Sequence, residues 1–219
     1  SFYSIYNNIT DHIKPDNREF INIKYGVDTL QMMKVVSDEL DSNCLEMDPI
    51  QVSELMSTQK NFHYCPYLYG FSNYARNNFK EFFLTYCNVL DLSGKGPFGT
   101  HLGGTGIAVS KVSKNIELAI EYAHWIASSD CQKNIFYKSG GQPANAIAWQ
   151  DKDINLETNN FFTNTRLTLD LAWVRPRHNG YMEFQDEAGN IINDYLKSNI
   201  KEEVVCKKLC EIYKESFRN

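Results

Sequence analysis

The sequence predicts an α/β fold, on three observations. The stretch His101-Leu102-Gly103-Gly104-Thr105-Gly106-Ile107-Ala108-Val109-Ser110 sets three glycines directly before residues 107–109, a short apolar run of buried-strand type. Residues 82–90 form a second run rich in aromatic and branched side chains. Around them apolar residues recur at helical spacing, most plainly Ile116, Ala119, Ile120, Ala123 and Ala127 behind a capping Asn115. Glycine lacks a Cβ, so backbone amides before residue 107 are open to close approach by a polar ligand. A tight turn made of glycine for geometry alone is the plainer reading of the same residues.

Taken in order, residues 2–13 read as a short helix broken at Pro15. Asp28 can cap a helix from Thr29 to about Asp41, with Leu30, Met33, Val36 and Leu40 on one face. Asp48-Pro49 opens a helix over residues 50–57, because proline suits a first turn. Phe62-His63-Tyr64-Cys65 begins as a strand and meets turns marked by Pro66 and Gly70. Residues 93–97 are a Gly/Pro loop. Beyond the helix of residues 116–127, a further helix over 130–137 ends at Gly140-Gly141-Gln142-Pro143, where glycine and then proline stop it. Residues 151–171 should be mostly helical and 172–181 irregular. Residues 184–196 and 202–217 form closing amphipathic helices.

The bulk numbers exclude several classes. The chain has 219 residues and a net charge of -5, which argues against a nucleic-acid partner, since such partners need a basic face. No apolar run approaches the ~18 residues a membrane span needs. The chain opens Ser1-Phe2-Tyr3, without Met, basic n-region or apolar h-region, so any signal or anchor segment is expected outside this sequence. Six cysteines are even in number, but a chain this size needs no disulfide framework, and Cys206 and Cys210 are expected as buried thiols on a helix. Asn8-Ile9-Thr10 matches a glycosylation sequon and carries little weight.

Catalytic and cofactor motifs fail on inspection. A phosphate loop would need Gly where Val89 stands and Ser or Thr where Gly96 stands. Gly104-Thr105-Gly106 precedes a strand-type run rather than a helix, so it is no dinucleotide fingerprint. Tyr74 occupies the last glycine position of a nucleophile elbow around Ser72. His63 and Cys65 lack a second pair at zinc spacing, and His12, His101, His124 and His178 are scattered. Glu183 and Asp186 could form an acid pair, though a solvated helix face is the better reading. No enzyme activity, metal or cofactor is expected. What remains is a binding pattern, in which aromatic faces pack on a sugar ring while arginine and backbone amides hold its hydroxyls. Tyr67, Tyr69, Tyr74, Trp149, Trp173, Arg175, Arg177 and Tyr181 supply such parts, and Gly103, Gly104 and Thr105 supply amides.

In order and spacing the chain resembles the family 1 extracellular solute-binding proteins of ABC importers, the sugar-type branch. The resemblance rests on Cys65-Pro66-Tyr67-Leu68-Tyr69-Gly70-Phe71-Ser72-Asn73-Tyr74-Ala75-Arg76 and on residues 102–110, Ala123-His124-Trp125-Ile126-Ala127-Ser128, residues 140–143 and Trp173-Val174-Arg175-Pro176-Arg177-His178-Asn179-Gly180-Tyr181.

That resemblance implies a periplasmic-binding-protein-like (type II) α/β fold whose ligand sits in a cleft between two lobes. It implies residues 1–100 as second-lobe core, 101–150 as the glycine-rich cleft loop and helices that pack in the first lobe, and 151–219 as helices returning to the second. Family members are near twice this length, so the chain resembles a C-terminal half whose first lobe is missing or replaced by self-association. It implies ligand contacts from Tyr67, Tyr69, Gly103, Gly104, Thr105, Trp173, Arg175 and Tyr181. The ligand would be a small polar one, sugar-like, handed to an ABC permease. The protein would be extracellular or periplasmic, with room for a lipid anchor through a segment outside this sequence. A carbohydrate-active enzyme using Glu183 and Asp186, and a structural or interaction domain derived from a binding protein, stay open as alternatives.

Overall fold

The computed structural model describes residues 1–10, 19–40 and 42–217. In chain order its helices are α1 (Phe2–Ile9), α2 (Ile23–Asp38), α3 (Pro49–Thr58), α4 (Ile116–Ala127), α5 (Ser129–Cys131), α6 (Ala146–Trp149), α7 (Lys152–Glu157), α8 (Phe161–Asp170), α9 (Tyr181–Leu196) and α10 (Glu202–Glu215). A π-helical stretch, Gln132–Phe136, continues α5. The expected residues 11–13, the break at Pro15, His12 and Asp41 lie outside the described residues.

The α/β expectation is overturned, and with it the periplasmic-binding-protein-like (type II) arrangement. Among the described residues no sheet forms, and the one β pairing is an isolated parallel bridge between His101 and Trp173. A strand exists only where a neighbour completes its ladder. Residues 83–90 and 102–110 have the composition of strands but take no regular structure. Backbone amides in the first run bond locally or to side chains: Leu84 N donates to Tyr74 O at 2.8 Å and Val89 N to Thr168 Oγ1 at 3.0 Å.

Two compact units divide the chain. One comprises Ser1–Asp48, Leu90–Leu102 and Leu171–Asn219, the other Pro49–Val89 and Gly103–Asp170. The first is a helical cluster in which α1, α2, α9 and α10 bury Tyr6, Leu30, Phe184, Tyr195, Leu209 and Tyr213. Its polar tips find partners, as buried phenols must: Tyr3 donates to Phe20 O at 2.7 Å, and Tyr6 accepts from Asn22 N at 2.8 Å. Helix α2 starts earlier than expected because Asn22, not Asp28, caps it, accepting from Lys24 N at 3.0 Å. Cys206 is fully buried on α10 and burial pushes its thiol up to about 12, while Cys210 faces Ile21 O. Both thiols are free.

Asn8, the sequon residue, is 1% exposed, so it offers no acceptor for a glycan. Its amide donates to the carbonyls of Gly96 and Phe98, and its oxygen accepts from Leu92 N at 2.6 Å. Nearby, Asp91 ties down the loop after it. One carboxylate oxygen accepts from the amides of Ser93, Gly94 and Lys95, and the other from Gly96 N at 2.7 Å. Desolvation opposes the charge, but these bonds outweigh it and hold the carboxyl below its ordinary range.

In the second unit Trp149, Ile154, Phe161, Phe162, Tyr137 and Ala148 form a small core. The long helix expected over 151–171 is two helices. Asn159 and Asn160 adopt positive φ between them, which asparagine tolerates. Asn155 spans the break, donating to Trp149 O and accepting from Thr163 N and Oγ1. Gln142 ties the 140–143 motif to the aromatic stretch, accepting from Ser72 N at 2.7 Å and donating to Gly70 O at 3.2 Å. No described helix is long and apolar enough to cross a membrane.

Candidate functional site

Within the second unit the chain brings two sequence motifs together. The ring of Tyr69 comes so close to Gly103 that a Cβ built there would stand 2.8 Å from its Cε1. Only glycine permits that approach. Tyr69 is 45% exposed, so part of its side chain faces water. Gly103, Gly104 and Thr105 are exposed, and nothing stands within 4 Å of an added Cβ at Gly104. Among the described residues, no backbone hydrogen bond engages the amides of residues 103–109. An aromatic face beside unengaged amides is the arrangement that grips a polar ring compound. Tyr67 is half-buried, with burial pushing its phenol up, and its hydroxyl has no partner among the described residues.

Trp173, Arg175 and Tyr181 belong to the first unit. Backbone pairing places Trp173: Gly99 N donates to Leu171 O, Trp173 N to Thr100 O and Leu102 N to Trp173 O. The indole stacks on Tyr3 with centroids 4.6 Å apart and planes at 9°, and His101 stacks on it at 4.9 Å. Arg175 is half-buried and donates to Gln185 Oε1 at 2.8 Å. Tyr181 is 3% exposed and belongs to the helical core, so it has no face to offer a ligand. Trp149 and Tyr74 are likewise core: Trp149 donates to Pro143 O, and Tyr74 donates to Glu54 at 2.6 Å. Arg177 is exposed.

The stack on Trp173 is completed by His101, which the sequence leaves among the scattered histidines, and by Tyr3, which it does not single out. Burial, reinforced by the positive charges of the N-terminal amine and then of Arg175, lowers the imidazole to about 4, so it is neutral at pH 7. Its Nε2 has no partner among the described residues. Nothing local flags Tyr3 as a neighbour, because it stands 98 positions earlier in the chain.

Other chemistry finds little support. Among the described residues no cluster of three metal-ligating side chains exists, and His63 is exposed. Glu183 and Asp186 both face solvent on α9. Two shallow depressions, of about 410 and 340 Å³, are lined by residues of α7 and its surroundings and by Ser113 to Leu118. Neither is lined by a candidate residue. No protein-family model and no curated protein matches this chain.

Proposed function

We propose that this chain is the solute-binding component of an ABC import system. It captures a small polar ligand of carbohydrate type and delivers it to a membrane permease, working outside the cytoplasm without chemistry on the ligand. One observation carries the reading: the exposed Tyr69 ring seated on Gly103, beside the open amides of Gly104 and Thr105. The ring supplies an apolar face for a sugar, and the amides supply donors for its hydroxyls.

Titration calorimetry against monosaccharides, oligosaccharides and polyols tests it. Binding to at least one is expected, with a roughly tenfold loss, about 1.4 kcal/mol, in Tyr69→Ala. Gly103→Ala should weaken binding similarly, because its Cβ would push the ring aside, while leaving the melting temperature unchanged, since an exposed ring can swing away. Absence of heat with the whole panel refutes the reading. The alternative of an interaction domain is favoured by a different observation, the exposure of α4.

A further inference from the structure

The ring of His101 is enclosed rather than bonded. It stacks on Trp173 with centroids 4.9 Å apart and planes at 25°, and on Tyr3 at 5.8 Å and 29°. Its Nε2 is sealed from water and has no partner among the described residues. A neutral imidazole can leave an unprotonated nitrogen there, whereas the protonated ring carries N–H on both nitrogens. Protonation in place would bury a charged donor without an acceptor. The charges that bear on the ring are both positive, those of the amine at Ser1 and of Arg175, and among the described residues no carboxylate offsets them. Tyr3 meets the ring as a neutral phenol that donates to Phe20 O.

The segment that carries His101 is lightly held. Thr100–Leu102 pairs with Trp173 through two backbone hydrogen bonds, Trp173 N to Thr100 O at 2.6 Å and Leu102 N to Trp173 O at 2.9 Å. Their bridge is isolated, and among the described residues no further strand extends it. On one side Gly99 is fixed separately, its N donating to Leu171 O and its carbonyl accepting from the Asn7 amide. On the other side the exposed run begins at Gly103. His101 and Trp173 are half-buried, so parting them uncovers little of the surface that unfolding exposes. Openings that break few bonds and uncover little surface lie at the low end of a protein's opening free energies.

We propose that this pairing is an acid-released latch: protonation of His101 frees Thr100–Leu102 from Trp173 while the helical core stays folded, and the unpaired run lengthens from residues 103–109 to 100–109. The proposal does not rest on the ligand reading. Native-state hydrogen exchange of the full chain in low urea, at pH 7 and at pH 5, tests it. The amides of Leu102 and Trp173 should exchange with little urea dependence, the mark of a local opening, while those of Gly99 and Leu209 follow global unfolding. The ring titrates at about 4 when latched and near 6.5 when freed, so protection of Leu102 and Trp173, corrected for intrinsic exchange, should fall about twentyfold from pH 7 to pH 5. In His101→Phe, which keeps a ring in the stack and cannot titrate, the fall should be less than about twofold. His101→Leu should show the same indifference to pH and serves where phenylalanine disturbs the stack. Amides of Leu102 and Trp173 that share the urea dependence of Leu209, or that lose protection equally in wild type and variants, overturn the proposal.

Discussion

His101 makes this protein's stability depend on pH between pH 7 and pH 5. The ring is packed against Trp173 and Tyr3, and burial lowers it to about 4 from an ordinary value near 6.5. In the unfolded chain it regains the ordinary value. The folded state therefore holds a neutral ring that the unfolded state protonates below pH 6.5. Its contribution is complete above that pH and is lost as pH falls toward 4. Between pH 7 and pH 5 the two titrations differ by about 2 kcal/mol, most of the ~3 kcal/mol that the whole shift represents. Urea unfolding of the wild type and of His101→Phe, each at pH 7 and pH 5, measures it. Phenylalanine keeps the stack and cannot titrate. The wild type should lose about 2 kcal/mol more than the variant over that interval. His178 is also lowered by burial, but it is present in both proteins and cancels. Glu54, Asp91 and Asp151 are lowered carboxylates whose contributions fade only below their ordinary range, near pH 4. Equal losses in the two proteins would refute the account of a buried neutral imidazole.

Two further predictions concern the scaffold. Gly180 stands before α9 at φ +100, and a Cβ there would lie 2.2 Å from Ser216 O, a backbone atom that cannot step aside. Gly180→Ala should cost about 3 kcal/mol or more by thermal or urea unfolding. Gly189→Ala, within α9 and facing open space, should gain roughly 0.5–1 kcal/mol, so the same substitution changes sign nine positions on. Asn8→Ala strips a hydrogen-bond partner from Leu92 N and the carbonyls of Gly96 and Phe98 and should cost about 2–3 kcal/mol in the same assay.

What the sequence made legible divides along the range of the forces involved. Helix α4 begins and ends where its apolar spacing places it, although Asn115 makes no side-chain cap bond there, and α3 opens at Pro49, because these signals act within one turn. The strands failed for the opposite reason. Residues 107–109 and 82–90 have strand composition, but composition cannot create the neighbour a ladder needs, and among the described residues none arrives. Tyr181 shows how a boundary changes a role. Read as irregular chain it looked like a free ring; as the first residue of α9 it leads Phe184, Ala188 and Tyr195 along one buried face. The meeting of Tyr69 with Gly103 was foreshadowed by ring and glycine together, whereas the stack of Tyr3 on Trp173 had no local sign.

The open segment also sets what a ligand must overcome. Residues 103–109 form no backbone hydrogen bonds among the described residues, so a ligand gripping Gly104 and Thr105 must fix them itself, at a cost of about 1–2 kcal/mol per residue. The glycines raise that cost. They allow the close approach that Tyr69 makes at Gly103, and they also give this run more conformational freedom to lose than other residues would. A loop built for access to its backbone is one whose ordering its ligand must itself supply.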